Sequence, residues 1–210
     1  MITIVKDIDL IDHLDEYDII LVGTNLYCTM SQGFQLKVML DYHYVYEKNL
    51  ESKYGDKDKL GTLLECSSDG EPTFCLCFIT EGYNFRPDLC KDYLSYEALE
   101  KCLRLVNIIY KDKKVACTLL GNSRFDGNGD KDKILSIFND TIKDLDLTIY
   151  DYYQKSRHEE MKEVREKELE VKKEDSEAYY KMVRERKKKA DERFRKNGHR
   201  RYEYNISYII

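Results

Sequence analysis

The chain has little that would place it in a membrane, outside the cell or around a metal ion. Its 210 residues contain no apolar run near the roughly 18 residues of a spanning helix, and Met1-Ile2-Thr3-Ile4-Val5 leads into acidic residues, unlike a signal peptide. The seven cysteines form no Cys-x-x-Cys pair and the four histidines are scattered, which argues against zinc. We therefore expect a cytoplasmic protein with no membrane partner, whose reduced cysteines serve as small core residues.

Proline and tryptophan are scarce too, with two prolines and no tryptophan. Neither proline nor glycine occurs from residue 153 to 196, a stretch dominated by Glu, Lys and Arg. Pairs such as Glu163 with Lys167 and Glu185 with Lys189 are spaced and oriented to stabilise a helix. This pattern predicts one long charged helix, the arm, over residues 153–197. A strand-like tail over residues 198–210 follows it and ends in apolar residues.

The charge of the arm is uneven. Ten basic and three acidic residues lie between Arg184 and Arg201, although the whole chain has a net charge of −5. Such asymmetry favours an acidic body with a basic extension that contacts an acidic protein or a nucleic acid. The alternative is a solvated helix that frays and has no partner.

Residues 1–152 have the pattern of one α/β domain. Strand-like segments alternate with segments of helical apolar spacing, which predicts a mostly parallel sheet between two helical layers. The helix that Ser95 caps should bury Leu99, Leu103, Val106 and Ile109. The strands are expected at 2–5, 18–22, 62–66, 73–80, 114–120 and 145–150, and the helices at 34–54, 95–110 and 131–145.

Two polar loops follow predicted strands. One runs from Gly23 to Gly33, and the other is Gly121-Asn122-Ser123-Arg124-Phe125-Asp126-Gly127-Asn128-Gly129, directly before a predicted helix. Backbone N–H groups in such a loop and the N-terminus of a helix together can hold an anion. The alternative is a tight turn without a ligand. Because both loops lie at the carboxyl ends of parallel strands, the sequence predicts a pocket there.

The segment Asp18-Ile19-Ile20-Leu21-Val22-Gly23-Thr24-Asn25 resembles the macrodomain strand of the form Asp-Ala-Ile-Val-Asn-Ala-Ala-Asn. Lys6-Asp7-Ile8 is similar to the Gly-Asp-Ile of that family. The resemblance covers about residues 1–150 and implies a three-layer α/β/α domain with a mixed sheet that binds ADP-ribose. It implies no other cofactor.

The same resemblance implies roles for particular residues. Asp7 would face adenine, and Asn25 and the loop to Gly33 would approach the distal ribose. The diphosphate would be held by Gly121, Asn122, Ser123, Arg124, Phe125 and Asp126. Two departures from the family are clear, because Val22 replaces its first asparagine and bulky Gln32 and Phe34 flank Gly33. We expect these side chains to narrow the approach to the distal ribose.

The sequence gives no strong sign of catalysis. Glu81 and Asp126 are candidates for a carboxylate pair that would perform acid–base chemistry on an ADP-ribosyl bond. The alternative is two solvated loop acids, and we assign no catalytic residue and no metal ligand. An ADP-ribosyl hydrolase stays an alternative.

The Lys-, Asp- and Tyr-rich, proline-poor composition resembles proteins of crAss-like tailed phages. With the arm, it predicts an assembly protein, a neck or collar subunit of a phage virion, present in the virion and the host cytoplasm. Residues 153–210 would contact other subunits in a homo-oligomeric ring or larger assembly. One alternative is an ADP-ribose-binding or ADP-ribosyl-hydrolysing macrodomain protein with a tethering arm. Another is nucleic-acid binding through residues 184–201.

Overall fold

A computed structural model describes residues 1–82, 93–123 and 126–152 of the chain. The predicted helix over 153–197, the tail over 198–210, and Arg124 and Phe125 lie outside the described residues. The described part contains six strands and four α-helices. The strands are β1 (Ile2–Lys6), β2 (Ile19–Asn25), β3 (Leu63–Cys66), β4 (Phe74–Thr80), β5 (Lys114–Thr118) and β6 (Asp146–Asp151). The helices are α1 (Gly33–Asp41), α2 (His43–Glu51), α3 (Tyr96–Ile109) and α4 (Lys131–Thr141).

The six strands form one mixed sheet in the order β1-β6-β5-β2-β4-β3. All neighbouring strands are parallel except β3, which pairs antiparallel with β4 at one edge. The carboxyl ends of β1, β6, β5 and β2 therefore lie side by side at one edge of the sheet. This arrangement confirms the predicted α/β class with a mostly parallel sheet.

Alternate residues of the central strands enter two separate hydrophobic clusters. In β2, Ile19 and Leu21 belong to the cluster that contains buried residues of α3 and α4, whereas Ile20 and Val22 belong to the cluster with α1. A strand whose seven residues are all buried is the expected result for a parallel strand covered by helices on both faces. The domain thus has the three predicted layers.

The predicted helices differ in detail from the structure, and the one predicted over 131–145 ends at Thr141. The segment predicted as one helix over 34–54 is two helices, because Tyr42 leaves helical geometry with φ −129° and ψ 66°. Ser95 caps α3 as predicted by accepting a hydrogen bond from the backbone N–H of Ala98 at 3.3 Å. Ile109, which was predicted to be buried, is 57% exposed, whereas Cys102, which was not predicted, lies on the buried face of α3.

Six of the seven cysteines lie in the described residues, and all six are free and buried. Cys75, Cys77, Cys102 and Cys117 belong to the α3 and α4 side of the sheet, and Cys66 belongs to the other side. Burial raises the pKa of the Cys66 thiol to about 12, so this group stays neutral at physiological pH. The prediction that the cysteines serve as small core residues is confirmed for these six.

Candidate functional site

A cleft of about 490 Å³ lies at the carboxyl edge of the sheet. The ends of β1, β2, β5 and β6 form its floor, while the start of α1 and the loop after β5 form its walls. This is the edge at which the sequence predicts a pocket. The described residues that line it are Lys6, Asp7, Val22, Gly23, Gln32, Gly33, Phe34, Gln35, Thr118, Leu119, Asn122, Ser123, Asp126, Lys131, Tyr150, Asp151 and Tyr152.

Asp126 connects the two walls of the cleft. Its Oδ2 accepts a hydrogen bond from the Gly121 backbone N–H at 2.9 Å, and its Oδ1 accepts one from the Gln35 side-chain amide at 3.2 Å. Burial raises the pKa of this carboxyl to about 7, although both hydrogen bonds act in the opposite direction. At neutral pH this carboxyl therefore binds a proton more readily than an exposed aspartate does.

The Asp126 carboxylate can occupy its position because residue 23 is a glycine. A Cβ atom on Gly23 would lie 2.8 Å from Oδ1 of Asp126 and 2.9 Å from Cδ1 of Ile79. Both distances are shorter than a non-bonded carbon contact allows. The absence of a side chain at Gly23 therefore leaves room for the Asp126 carboxylate.

The glycines of the loop after β5 serve close packing. A Cβ atom on Gly121, whose φ is +80°, would lie 2.6 Å from a methyl group of Leu94, and one on Gly129 would meet the same side chain at 2.6 Å. The loop also closes on itself, because the Gly129 N–H donates to the Gly121 carbonyl at 2.8 Å. Gly121 itself does not line the cleft, and its N–H, predicted to hold a diphosphate, donates to Asp126.

Asn122 and Ser123 of the same loop do face the cleft. On the opposite wall, α1 begins at Gly33, and its N-terminal residues Gly33, Phe34 and Gln35 line the cleft as well. The first N–H groups of a helix have no partner within it and give that end a partial positive charge. The cleft thus has the polar wall and the helix N-terminus that an anion favours. The Phe34 side chain is buried in the core cluster beneath the sheet, although the residue also lines the cleft.

Asn25 occupies a different place from the other predicted residues. Its side-chain amide donates to the Thr29 carbonyl at 3.0 Å and to the Thr29 hydroxyl at 2.7 Å, and its oxygen accepts from the Tyr27 N–H at 2.9 Å. Asn25 is buried and is not among the described residues that line the cleft. Its side chain therefore fastens the loop after β2 in this structure.

The end of the cleft at β1 and β6 is charged and aromatic. Asp7 is exposed and lines the cleft, and its backbone N–H approaches the Asp151 carbonyl at 3.5 Å. The Lys131 ammonium, in the first turn of α4, pairs with the Asp151 carboxylate at 2.6 Å. Tyr152 lines the cleft and is 39% exposed, and the Lys37 ammonium lies over its ring at 5.9 Å from the ring centroid.

The cleft brings together Asp7, Gly33, Asn122, Ser123 and Asp126 of the predicted ligand-binding residues. That they bind a ligand stays a prediction. Gln35 was not predicted, because its role depends on a hydrogen bond to a residue 91 positions away. The sequence gives a weak indication that Lys131 and Tyr152 belong to the site. Lys131 lies at the start of α4 and Tyr152 directly after β6, and both positions are at the edge of the sheet where the cleft was predicted.

Glu81, the other carboxylate of the proposed acid–base pair, is exposed at the end of β4 and is not a described lining residue. The cleft therefore contains Asp126 without Glu81. Among the residues that the structure describes, no group of three or more His, Cys, Asp and Glu side chains has the arrangement of a metal site. In the same part of the chain, no helix is both long enough and apolar enough to span a membrane.

Solved structures with the same fold cover most of the chain. A Bacteroides thetaiotaomicron protein of unknown function aligns over 72% of this chain and 98% of its own, with 17% identity and a TM-score of 0.57. The macrodomain of Thermus aquaticus DarG aligns over 72% and 98%, with 10% identity and a TM-score of 0.54. Thermosipho africanus DarTG, in a structure in complex with ADP-ribose, aligns over 65% of this chain and 38% of its own, with 16% identity and a TM-score of 0.50.

The described domain of this chain has the macrodomain fold, which confirms the resemblance seen in the β2 segment. At the level of sequence, no family model and no curated protein matches the chain. Nothing in these comparisons supports a phage virion subunit. Assembly through residues 153–210 and nucleic-acid binding through residues 184–201 stay predictions, because both depend on residues outside the described part.

Proposed function

We propose that this domain binds ADP-ribose or a closely related nucleotide with a diphosphate and two sugars. The observation that carries the proposal is the polar cleft at the carboxyl edge of a macrodomain sheet, walled by the start of α1 and by Asn122 and Ser123. The ADP-ribose complex of the structurally similar Thermosipho africanus DarTG supports the same ligand. This replaces the virion subunit as the principal hypothesis.

The dimensions and chemistry of the cleft suit such a ligand. Its volume of about 490 Å³ falls within the roughly 300–1,000 Å³ range of small-molecule sites. Tyr152 offers a ring on which a base can stack, and the nearby Asp7 carboxylate can accept from an exocyclic amino group. We place the diphosphate between the side chains of Asn122 and Ser123 and the first turn of α1, whose N–H groups have no partner within the helix.

The charges in the cleft support a diphosphate that is held mainly by neutral donors. Lys6 and Lys131 are the lining cations among the described residues, and Lys131 is already paired with Asp151. The carboxylates of Asp7, Asp126 and Asp151 oppose a high positive potential. We therefore expect the affinity for ADP-ribose to depend only weakly on salt, because few counterions are exchanged.

Titration calorimetry of the full chain with ADP-ribose tests the proposal. The variant Tyr152→Ala should weaken binding by about tenfold or more, since stacking on an aromatic ring contributes about 1–3 kcal/mol per base. The matched control is Tyr54→Ala, which removes a 72% exposed tyrosine that does not line the cleft. Absence of heat at millimolar ADP-ribose would refute the proposal. Equal weakening by both variants would refute the placement of the base.

A further inference from the structure

The Asp126 carboxyl is a half-buried acid that lines the candidate ligand site. Its hydrogen-bond donors are the Gly121 N–H and the Gln35 amide, both of which are neutral. Among the ion pairs formed by described residues, none includes Asp126. A partly desolvated carboxylate that is held by neutral donors is harder to ionise than a solvated one, so its charge state responds to a new charge nearby.

The groups around Asp126 can be taken element by element. β2 presents Gly23, β4 presents Ile79 and α1 presents Gln35, none of which titrates. The remaining titratable side chains that line the cleft are Lys6, Asp7, Lys131, Tyr150, Asp151 and Tyr152. Lys131 is neutralised by Asp151, and Lys6 and Asp7 have opposite charges at the end of β1. Among the described lining residues, the two lysines are thus matched by the carboxylates of Asp7 and Asp151.

We propose that Asp126 takes up a proton when an anionic ligand enters the cleft, so that ligand binding and protonation of this carboxyl are coupled. The inference rests on the proposed function for the identity of the ligand. Two negative charges that share one partly desolvated cleft repel each other strongly, and protonation of one of them removes the repulsion. A diphosphate diester cannot take the proton near neutral pH. Of the lining carboxyls, Asp151 is paired with Lys131 and Asp7 is exposed, whereas Asp126 is half-buried and held by neutral donors, which favours Asp126 as the acceptor.

The neutral acid keeps its place in the structure. The Gly121 N–H can still donate to the carbonyl oxygen of a protonated Asp126. The new O–H can donate to Gln35 once the Gln35 amide turns its oxygen toward it, since the two ends of an amide have nearly the same shape. Protonation thus changes the charge of the site and leaves both connections between the cleft walls in place.

The protonation state of Asp126 in the free protein allows the coupling between ligand binding and proton uptake to be measured near neutral pH. Burial raises the pKa of Asp126 to about 7 in the free protein, and a nearby anion raises the pKa further. Between the lower and the higher pKa, binding takes up a proton, so the affinity falls as the pH rises through this window. The limit for one coupled proton is a fall of about tenfold per pH unit.

Calorimetry of the full chain with ADP-ribose in buffers of different ionisation enthalpy measures the proton uptake directly. At about pH 7.5 we expect a fraction of a proton, up to about three quarters, to be taken up per ligand bound. The variant Asp126→Asn keeps the shape and the acceptor oxygen but cannot titrate there, so it should bind with no proton uptake and with a flat pH profile. Asp69→Asn, in the exposed turn before β4, is the matched control and should behave as the wild type.

The possible results separate the two proposals. Binding with proton uptake that is lost in Asp126→Asn supports the coupling. Binding of ADP-ribose with no proton uptake, or with uptake that persists in Asp126→Asn, overturns it and leaves the proposed function standing. Absence of binding at every pH from about 6 to 8.5 overturns the proposed function, and the coupling with it. If Asp126→Asn does not fold, the proton count and the pH profile of the wild type still decide whether a proton is taken up.

Discussion

Replacing Gly23 with alanine tests the close packing at the end of β2. The added methyl group would lie 2.8 Å from Oδ1 of Asp126 and 2.9 Å from Cδ1 of Ile79, so at least one of these neighbours has to move. Overpacking of this kind costs about 1–3 kcal/mol. The lower entropy of the unfolded chain offsets up to about 1 kcal/mol of that cost. A net loss of about 1–2 kcal/mol corresponds to a decrease in melting temperature of about 2–8 °C for a chain of this size.

Urea denaturation and calorimetric melting of the full chain measure this loss. Gly82→Ala is the matched control, because a Cβ atom there would have no neighbour within 4 Å among the described residues. This variant should be as stable as the wild type or slightly more stable. In an Asp126→Ala background, Gly23→Ala should cost less, since only the contact with Ile79 remains. A Gly23→Ala protein as stable as the wild type would show that the carboxylate does not occupy this position.

Three further predictions concern stability. First, the raised pKa of Asp126 means that the folded state binds the proton more tightly than the unfolded state. The free energy of unfolding should therefore fall as the pH rises from about 4 to about 7, by up to about 4 kcal/mol. Denaturation of Asp126→Asn at several pH values should lack this component. Second, Ser95→Ala removes the N-cap of α3 and should cost about 1 kcal/mol in urea denaturation, and a cost that Ser95→Asp does not largely restore would contradict the capping role. Third, Asn25→Ala leaves buried groups of the loop without partners and should cost about 1–3 kcal/mol while weakening ADP-ribose binding less than Tyr152→Ala does.

The main features of the fold could be predicted from short-range patterns. Continuous apolar runs such as residues 18–22 indicated buried parallel strands, and the alternation with helices indicated the layers. Ser95 identified the start of α3 because capping depends on residues three positions apart. The break between α1 and α2 at Tyr42 could not be seen, since apolar spacing continues through it and no glycine or proline marks it.

The candidate site could be predicted in outline but not in its internal contacts. Strand order places Asp7, Gly33, Asn122, Ser123 and Asp126 at one edge, which is a topological consequence. The connection from Asp126 to Gln35 joins the loop after β5 to the first turn of α1, and these meet only in the folded chain.

The structure also assigns unpredicted roles to residues singled out in the sequence. The glycines at 121 and 129 looked suited to a phosphate, but in the structure their small size admits Leu94. Asn25 matches the last residue of the macrodomain strand motif, yet all of its described hydrogen bonds are to Tyr27 and Thr29 in the loop after β2. Such reassignments arise because side-chain direction at a strand end depends on contacts that sequence spacing does not encode.

Buried cysteine thiols lie on both sides of the sheet, so their reactivity can report local unfolding of either helical layer. A thiol reagent modifies a buried cysteine only when the surrounding structure opens, so labelling rates measure local stability without any added probe. Cys66 would report on the side with α1, and Cys102 and Cys117 on the side with α3 and α4. With Cys90 replaced by serine, modification followed residue by residue would show which layer a bound ligand protects.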